Sequence, residues 1–443
     1  MGQESNYKSI QSQVPDSRSS RLLKMGQLAG NVAGGALTEG FKRILTGRDK
    51  SASNLLLTPA NANRLAEHLA ELRGAAMKLG QMISMEAGDL LPAEFSKILE
   101  RLREDAHHMP LGQVAMVLDN NWGKLWERQF KRFHFTPIAA ASIGQVHEAT
   151  TKQGEHLAIK IQYPGIRNSI DSDVDNVATL LRLFRLIPQE LDLGTLLAET
   201  KFQLQKEADY LNEAANTIEY AKQIKSLTGF RIPSTDLDRS THEVLVMEYI
   251  PGIPLDELVS LPAAVRNSVA ERLVMLALHE TFCWGTVQTD PNFANYRYDS
   301  RSDLLGLLDF GAIQFYEKHR TRAFKHLLQA ALDGDSKQME LAAMDVGYLE
   351  EQAPDRYRTA VIGLLKSVTE PIRATGRYDF ANSDLMTRMS EQAIELRLNQ
   401  HYWHLPPHDV LLLHRKLAGL YLACVRLKAN LNVRALALDL STY

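Results

Sequence analysis

The chain has 443 residues, 45% of them hydrophobic and 23% charged, so it can bury a large core and is long enough for about two to three domains or lobes. A formal net charge of −3 excludes a global attraction to nucleic acid. The two cysteines, Cys283 and Cys424, exclude a disulfide framework and suit reduced thiols, and no apolar run reaches the ~20 residues of a membrane-spanning helix.

Residues 1–20 are polar and read as disordered, with no apolar signal-peptide core behind the N-terminal charges. Residues 21–46 are richer. Gly26, Gly30 and Gly34 form a small-residue ridge among apolar side chains. Arg18, Arg21 and Lys24 flank one end, and Lys42, Arg43, Arg48 and Lys50 the other. The pattern suits a helix lying on an anionic membrane surface. A helix docked on the protein itself fits the same pattern, and the ridge could equally support a homodimer.

From 61 to 86 the spacing predicts one long helix, with Leu65, Leu69, Leu72, Ala76, Leu79 and Ile83 on one face. Lys78 and Gln81, three apart, are neighbours on another face. Helical character continues over 94–130. Then Ala139-Ala140-Ala141-Ser142-Ile143-Gly144-Gln145-Val146 has the spacing of a kinase phosphate loop, with only Gly144 kept of its three glycines. Glycine lets backbone N–H groups curl closely round phosphates, so the alanines predict an altered grip. Leu157 to Lys160 reads as the following strand, with Lys160 set for the α/β phosphates. Helices are expected over about 170–186 and 193–225, the second carrying Glu207, Asp209 and Glu213. Lys160 needs a carboxylate to hold it extended; Glu213 is the first candidate and Glu207 the second. Val244 to Ile250 is an apolar, β-branched strand, ended by Pro251-Gly252. An adenine edge is expected to meet the backbone around Glu248 and Tyr249.

Beyond Pro262 the chain reads as mostly helical, apart from two strings. In Gln288-Thr289-Asp290-Pro291-Asn292-Phe293-Ala294-Asn295, an acidic residue precedes an asparagine by five positions; Asp309-Phe310-Gly311 follows a hydrophobic strand. In a kinase-like fold Asp309 would chelate metal between the phosphates. Asn295 would take a second metal, and Asp290 would face the attacking hydroxyl or water. After Gly311 the sequence runs almost directly into a helical pattern with no Ala-Pro-Glu, so a peptide-binding platform is expected to be missing.

These strings, together with Lys78-Leu79-Gly80-Gln81 and Glu207-Ala208-Asp209, resemble the KxGQ motif, the Ala-rich loop and the ExD element of the UbiB (ADCK/AarF) family of atypical kinase-like proteins. The resemblance spans roughly residues 55 to 440. It implies that the 61–86 helix places Lys78 and Gln81 over the nucleotide site and keeps a protein substrate out. If Glu213 pairs with Lys160, Glu207 and Asp209 are left free, and their pairing with Lys78 is a separate expectation. His414-Arg415-Lys416 also matches a family string, with no chemistry assigned to it.

The resulting expectation is an α+β, protein-kinase-like two-lobed fold with a helical N-terminal extension carrying the KxGQ motif. The expected divisions are a tail and membrane-surface segment at 1–55, the extension at 56–130, an N-lobe at 131–250 and a C-lobe at 251–443. By resemblance the function is an atypical kinase-like ATPase using ATP and Mg²⁺ and supporting ubiquinone biosynthesis at a membrane. Its implied partners are ubiquinone-biosynthesis enzymes and isoprenoid-quinone intermediates. The alternatives are a kinase with a small-molecule or protein acceptor, and a non-catalytic nucleotide-gated scaffold. The N-terminus lacks transit-peptide character, which favours a bacterial cytoplasmic setting, peripheral to the inner membrane.

Overall fold

A computed structural model of the chain describes residues 59–87, 93–104, 108–184, 186–187, 193–396, 404 and 406–440. The glycine-ridged segment 21–46 lies outside the described residues. Contacts divide the chain into two units. One comprises the chain through Ala214 joined by Ser234–Tyr249; the other comprises Ala215–Pro233 joined by the chain from Ile250 onward. The helical extension and the expected N-lobe therefore share a unit, while 215–233 packs with the second.

In the first unit, α1 (Pro59–Glu71), α2 (Arg73–Ala87), α3 (Ala93–Glu104) and α4 (Leu111–Trp122) precede the strands β1 (Phe130–Phe133), β2 (Ala139–Ala140), β3 (Gly144–Thr151) and β4 (His156–Gln162). After Gly165, in the left-handed conformation, come α5 (Ile166–Leu183), α6 (Leu193–Glu207) and α7 (Tyr210–Gln223). β5 (Phe230–Arg231) belongs to the second unit, and β6 (Val244–Glu248) returns to the first. The sheet order is β1-β3-β4-β6, with β2 added on β3 and every pairing antiparallel.

Strand periodicity explains why β6 is apolar throughout. Successive side chains alternate between faces. Leu245 and Met247 enter a core with α2, α5 and α6, whereas Val244 and Val246 enter another with Ile159, Ile161, Trp126 and α4. Each such side chain contributes about 1.5–3 kcal/mol of burial, so covering both faces makes this sheet the unit's rigid floor.

Two expected helices are each broken. The 61–86 helix turns at Leu72, whose N–H bonds Leu69 O at 3.1 Å before α2 resumes. The full apolar stripe from Leu65 to Ile83 still faces the core. The bend brings Gly74 against the phosphate-loop segment, where a Cβ would sit 3.0 Å from Ser142 O and 3.1 Å from Ile143 Cγ2. The 193–225 helix breaks at Ala208-Asp209. There the Asp209 carboxylate accepts from the N–H groups of Leu211 (3.2 Å) and Asn212 (3.4 Å), competing with helix continuation and starting α7 afresh.

The second unit opens with β7 (Ile253–Pro254) and α8 (Ala263–Leu278), which widens into a π-helical turn, His279–Trp284. β8 (Thr286–Gln288), β9 (Tyr296–Asp299), β10 (Leu304–Leu307) and β11 (Ile313–Phe315) follow. The sheet order is β5-β10-β9-β7, and β8 pairs with β11. The remainder is helical: α9 (Lys318–Asp333), α10 (Ser336–Val346), α11 (Asp355–Val368), α12 (Glu370–Arg373), α13 (Leu385–Ile394), α14 (His408–Arg426) and α15 (Val433–Leu440), with a small β12–β13 ladder (Tyr378–Asp379, Asn430–Leu431). Cys283 and Cys424 are free. Among the described residues no helix is long and apolar enough to cross a membrane.

Candidate functional site

In the first unit the Ala-rich segment is a hairpin. Ala139 and Ala140 pair with Val146 and Gln145, and Ala141 N donates to Gly144 O at 2.9 Å. Ile143 is buried and roots the turn, while Ser142 is exposed at its tip. Gly144 is required by closeness rather than by a positive φ: a Cβ there would lie 2.3 Å from Ile161 O on β4.

Lys160 projects from β4 and is buried, as is Glu213, and the two form an ion pair. Of the two carboxylates left open by sequence, Glu213 is therefore the one that meets Lys160. The break at Asp209 decides this by setting the phase of α7. Glu207, at the end of α6, instead pairs with buried Lys78 of α2, and its second oxygen accepts from Ser142 Oγ at 3.2 Å. One carboxylate thus ties the KxGQ helix to the tip of the loop. Gln81 lies on the same helix, half-buried, and Gly80 seats it, since a Cβ would meet Leu99 Cδ2 at 2.4 Å.

Asp209 does not join Lys78. It caps α7 and contacts His242 Nδ1 at 2.8 Å. Burial works against its charge, and His242 and the capping N–H groups outweigh it, holding the carboxyl below its usual value. At the end of β6, Glu248 N donates to Ser234 O and Tyr249 N to His156 O. Both N–H groups are committed within the unit, so neither is available to the adenine edge expected there. The Tyr249 ring stacks on His156 at 4.2 Å.

Behind the loop, His147 on β3 is fully buried. Its Nδ1 donates to His134 O, and Nε2 accepts from Gln145, whose amide oxygen holds Met109 N. Burial pulls this imidazole down to about 4. The unfolded chain therefore takes up the proton first. Stability is full above pH ~6.5 and is lost as pH falls toward ~4, by about 2 kcal/mol at pH 5. Thermal melts at pH 7.5 and 5 should show this fall, and His147→Gln should shrink it; equal slopes in both proteins would rule His147 out as the cause.

In the second unit, β8 delivers Asp290. Asn292 Oδ1 caps the turn Phe293–Asn295 by accepting from Ala294 N at 3.1 Å. Asn295 Nδ2 donates to Asp290 Oδ2 at 3.1 Å, and Leu308 N bonds Asn295 O at 3.0 Å. β9 and β10 thus hold the two strings in register. Asp309 Oδ1 accepts from Gly311 N at 3.0 Å, and Phe310 is buried against the Tyr220 ring at 4.9 Å. Directly after Gly311 the chain pairs back: Thr289 N and Oγ1 both donate to Ala312 O, and β11 closes on β8. α9 then starts at Lys318, leaving no room for an activation segment in this stretch.

Three side chains of this unit had no role assigned from sequence. Arg415 of α14 donates to Asp290 Oδ1 at 2.6 Å, with the arginine one-tenth exposed. The next residue, Lys416, is buried and pairs with Glu280 Oε2 at 2.8 Å. Glu280 stands in the π-helical turn, and its Oε1 accepts from Tyr220 OH (2.7 Å) and Gln288 N (2.9 Å). The Tyr296 hydroxyl lies beside Lys416 and feels its charge. Charges in stretches as apolar as α8 and α14 were the available signal, because buried charges are almost always paired.

Oxygen donors such as the Asp309 carboxylate and the Asn295 carbonyl fit a hard divalent cation. Among the described residues no group of three His, Cys, Asp or Glu is placed to hold a metal.

Comparison with known proteins gives the same kinship. Residues 101–343 match the ABC1 atypical kinase-like domain. The chain is 37% identical over 434 residues to the rat atypical kinase COQ8B, mitochondrial, covering 98% of this chain and 82% of the relative. It is 32% identical to the Saccharomyces cerevisiae atypical kinase COQ8, mitochondrial, covering 98% and 86%. A solved structure, the Rv3197–erythromycin complex from Mycobacterium tuberculosis, shares the fold at a TM-score of 0.60 and 24% identity, covering 86% of this chain and 95% of that one. The relatives overturn the bacterial cytoplasmic setting expected from the N-terminus: both the rat and the yeast protein are eukaryotic and named mitochondrial. A short polar N-terminus was too weak a signal to fix a compartment.

Proposed function

The chain belongs to the UbiB family of atypical kinase-like proteins, the family associated with ubiquinone biosynthesis, and from that membership we propose that it is a Mg²⁺-dependent ATPase acting at a mitochondrial membrane. The observation that carries this reading is the buried Lys160–Glu213 ion pair, the arrangement that holds a kinase lysine extended for the α/β phosphates. The Ala139–Val146 hairpin, with Ser142 and Gly144, is assigned to the phosphates, and its alanines limit how closely the backbone wraps them. Glu248 and Tyr249 flank the base. Asp309 and Asn295 supply metal ligands, and Asp290 faces the attacking oxygen. Bound Mg²⁺ supplies charge neutralisation on the phosphate oxygens.

The return of β11 onto β8 directly after Gly311 favours water or a small acceptor over a protein substrate. The tie from Lys78 through Glu207 to Ser142 fixes the KxGQ helix beside the loop and favours the same reading. Quinone-lipid intermediates and the enzymes that process them are the proposed beneficiaries of turnover. The basic, glycine-ridged segment 21–46 is the proposed membrane contact.

Phosphate release from ATP, with and without anionic liposomes, tests the reading. Turnover should require Mg²⁺, rise with liposomes and fall by about a hundredfold or more in Asp309→Asn. Nucleotide binding without turnover under both conditions would favour the scaffold reading instead.

A further inference from the structure

Asp290 is gripped on both oxygens. Arg415 Nη2 donates to Oδ1 at 2.6 Å, and Asn295 Nδ2 donates to Oδ2 at 3.1 Å. The second contact fixes more than a distance. An ionised carboxylate only accepts, so the Asn295 atom facing Asp290 must be its NH₂ group. The amide of Asn295 then has one orientation, with its carbonyl oxygen turned away from Asp290. That oxygen is the only part of the side chain able to ligate a hard cation. The 3₁₀ turn capped by Asn292 and the Leu308 N to Asn295 O bond hold the backbone on either side. The remaining freedom is the rotation of two side chains, Asp290 and Asn295, and Arg415 is the fixed post against which both are set.

The post is itself well anchored. Lys416, the adjacent residue, is buried and ion-paired with Glu280, whose other oxygen holds Gln288 N at the end of β8. Gly419 lies one helical turn beyond Arg415 on the same face, and it packs on Pro291, the residue after Asp290. Three positions of α14 therefore meet the segment from Gln288 to Tyr296 along its length, and Arg415 is the one that reaches the acidic side chain.

We propose that Arg415 is a positioning residue which, by holding Asp290, orients the Asn295 amide so that its carbonyl oxygen is presented to a divalent cation. The proposal rests on the reading of Asn295 as a metal ligand, and it gives the family string His414-Arg415-Lys416 a chemical task. It makes metal affinity, not folding or nucleotide contact, the property that Arg415 controls. Arginine suits the task better than lysine because its planar fork directs the hydrogen bond, whereas an ammonium can pair with a carboxylate in many orientations.

The test is Mn²⁺ affinity, measured by electron paramagnetic resonance or calorimetry in the presence of a non-hydrolysable ATP analogue, on the full chain. Arg415→Met should weaken Mn²⁺ binding by about 10–100-fold, the usual cost of losing a partner that orients a ligand. Metal-free nucleotide affinity should stay within about twofold. Arg415→Lys should recover part of the loss, and it stands in if the methionine variant fails to fold. Asp290→Asn should produce a similar loss, and adding Arg415→Met to it should cost little more, because both act on one amide. Unchanged Mn²⁺ affinity in Arg415→Met and Arg415→Lys would overturn the proposal, as would additive losses in the double variant. Turnover is read separately. If the wild type releases no phosphate while Arg415→Met still weakens Mn²⁺ binding, the ATPase reading fails and the positioning role stands. If turnover is normal and Mn²⁺ affinity does not change, the positioning role alone fails.

Discussion

Lys416→Met is expected to lower the unfolding free energy by about 3–5 kcal/mol, the cost of breaking a buried ion pair from one side. Methionine fills much of the same volume, so the loss is electrostatic. It leaves the Glu280 carboxylate, which is 0% exposed, without its cation. Burial alone would discourage charge on Lys416, but Glu280 and Tyr296 outweigh it and hold the lysine above its usual pKa. Lys416 thus keeps its charge throughout the physiological range, and the penalty for removing it applies at neutral pH. Glu280→Gln in the same chain should restore part of the stability, since an uncharged amide still accepts from Tyr220 and Gln288 N. Denaturant titration of the single and double variants measures both effects. A single-variant loss under about 1 kcal/mol would show that solvent reaches the pair.

Gly419→Ala is expected to reduce turnover by about a hundredfold while costing about 1–3 kcal/mol of stability. The added Cβ would stand 2.0 Å from Pro291 Cβ and 3.4 Å from its Cα. Proline cannot rotate aside, so either α14 or the Asp290–Asn295 segment must shift by about an ångström. A displacement of that order in a positioning element suffices for a hundredfold loss. Phosphate release and denaturant melts together decide the matter. A large loss of stability with turnover intact would place the strain elsewhere in the helix.

What could be read from the sequence depended on how local each feature is. Asp290, Asn295 and Asp309 lie in one short hairpin, so their spacing reflects their geometry directly. The Lys160 partner was only half legible. A carboxylate on the following helix was required, but helical periodicity runs unbroken through Glu207 and Glu213, and the break at Asp209 is a capping event that periodicity does not register. The same limitation merged α1 with α2, where the apolar stripe continues across the turn at Leu72. The bonding of the Glu248 and Tyr249 N–H groups was illegible for a related reason: they pair beyond the strand, with Ser234 and His156. Arg415 was invisible by spacing, since its partner is 125 residues away.

That separation has a consequence in time. The chain leaves the ribosome at about 5–20 residues per second, so Asp290 emerges roughly 6–25 seconds before the arginine that grips it. Glu280 waits as long for its lysine. Throughout that interval the acidic loop exists without its cations, and no nascent chain can carry a finished site until α14 has docked.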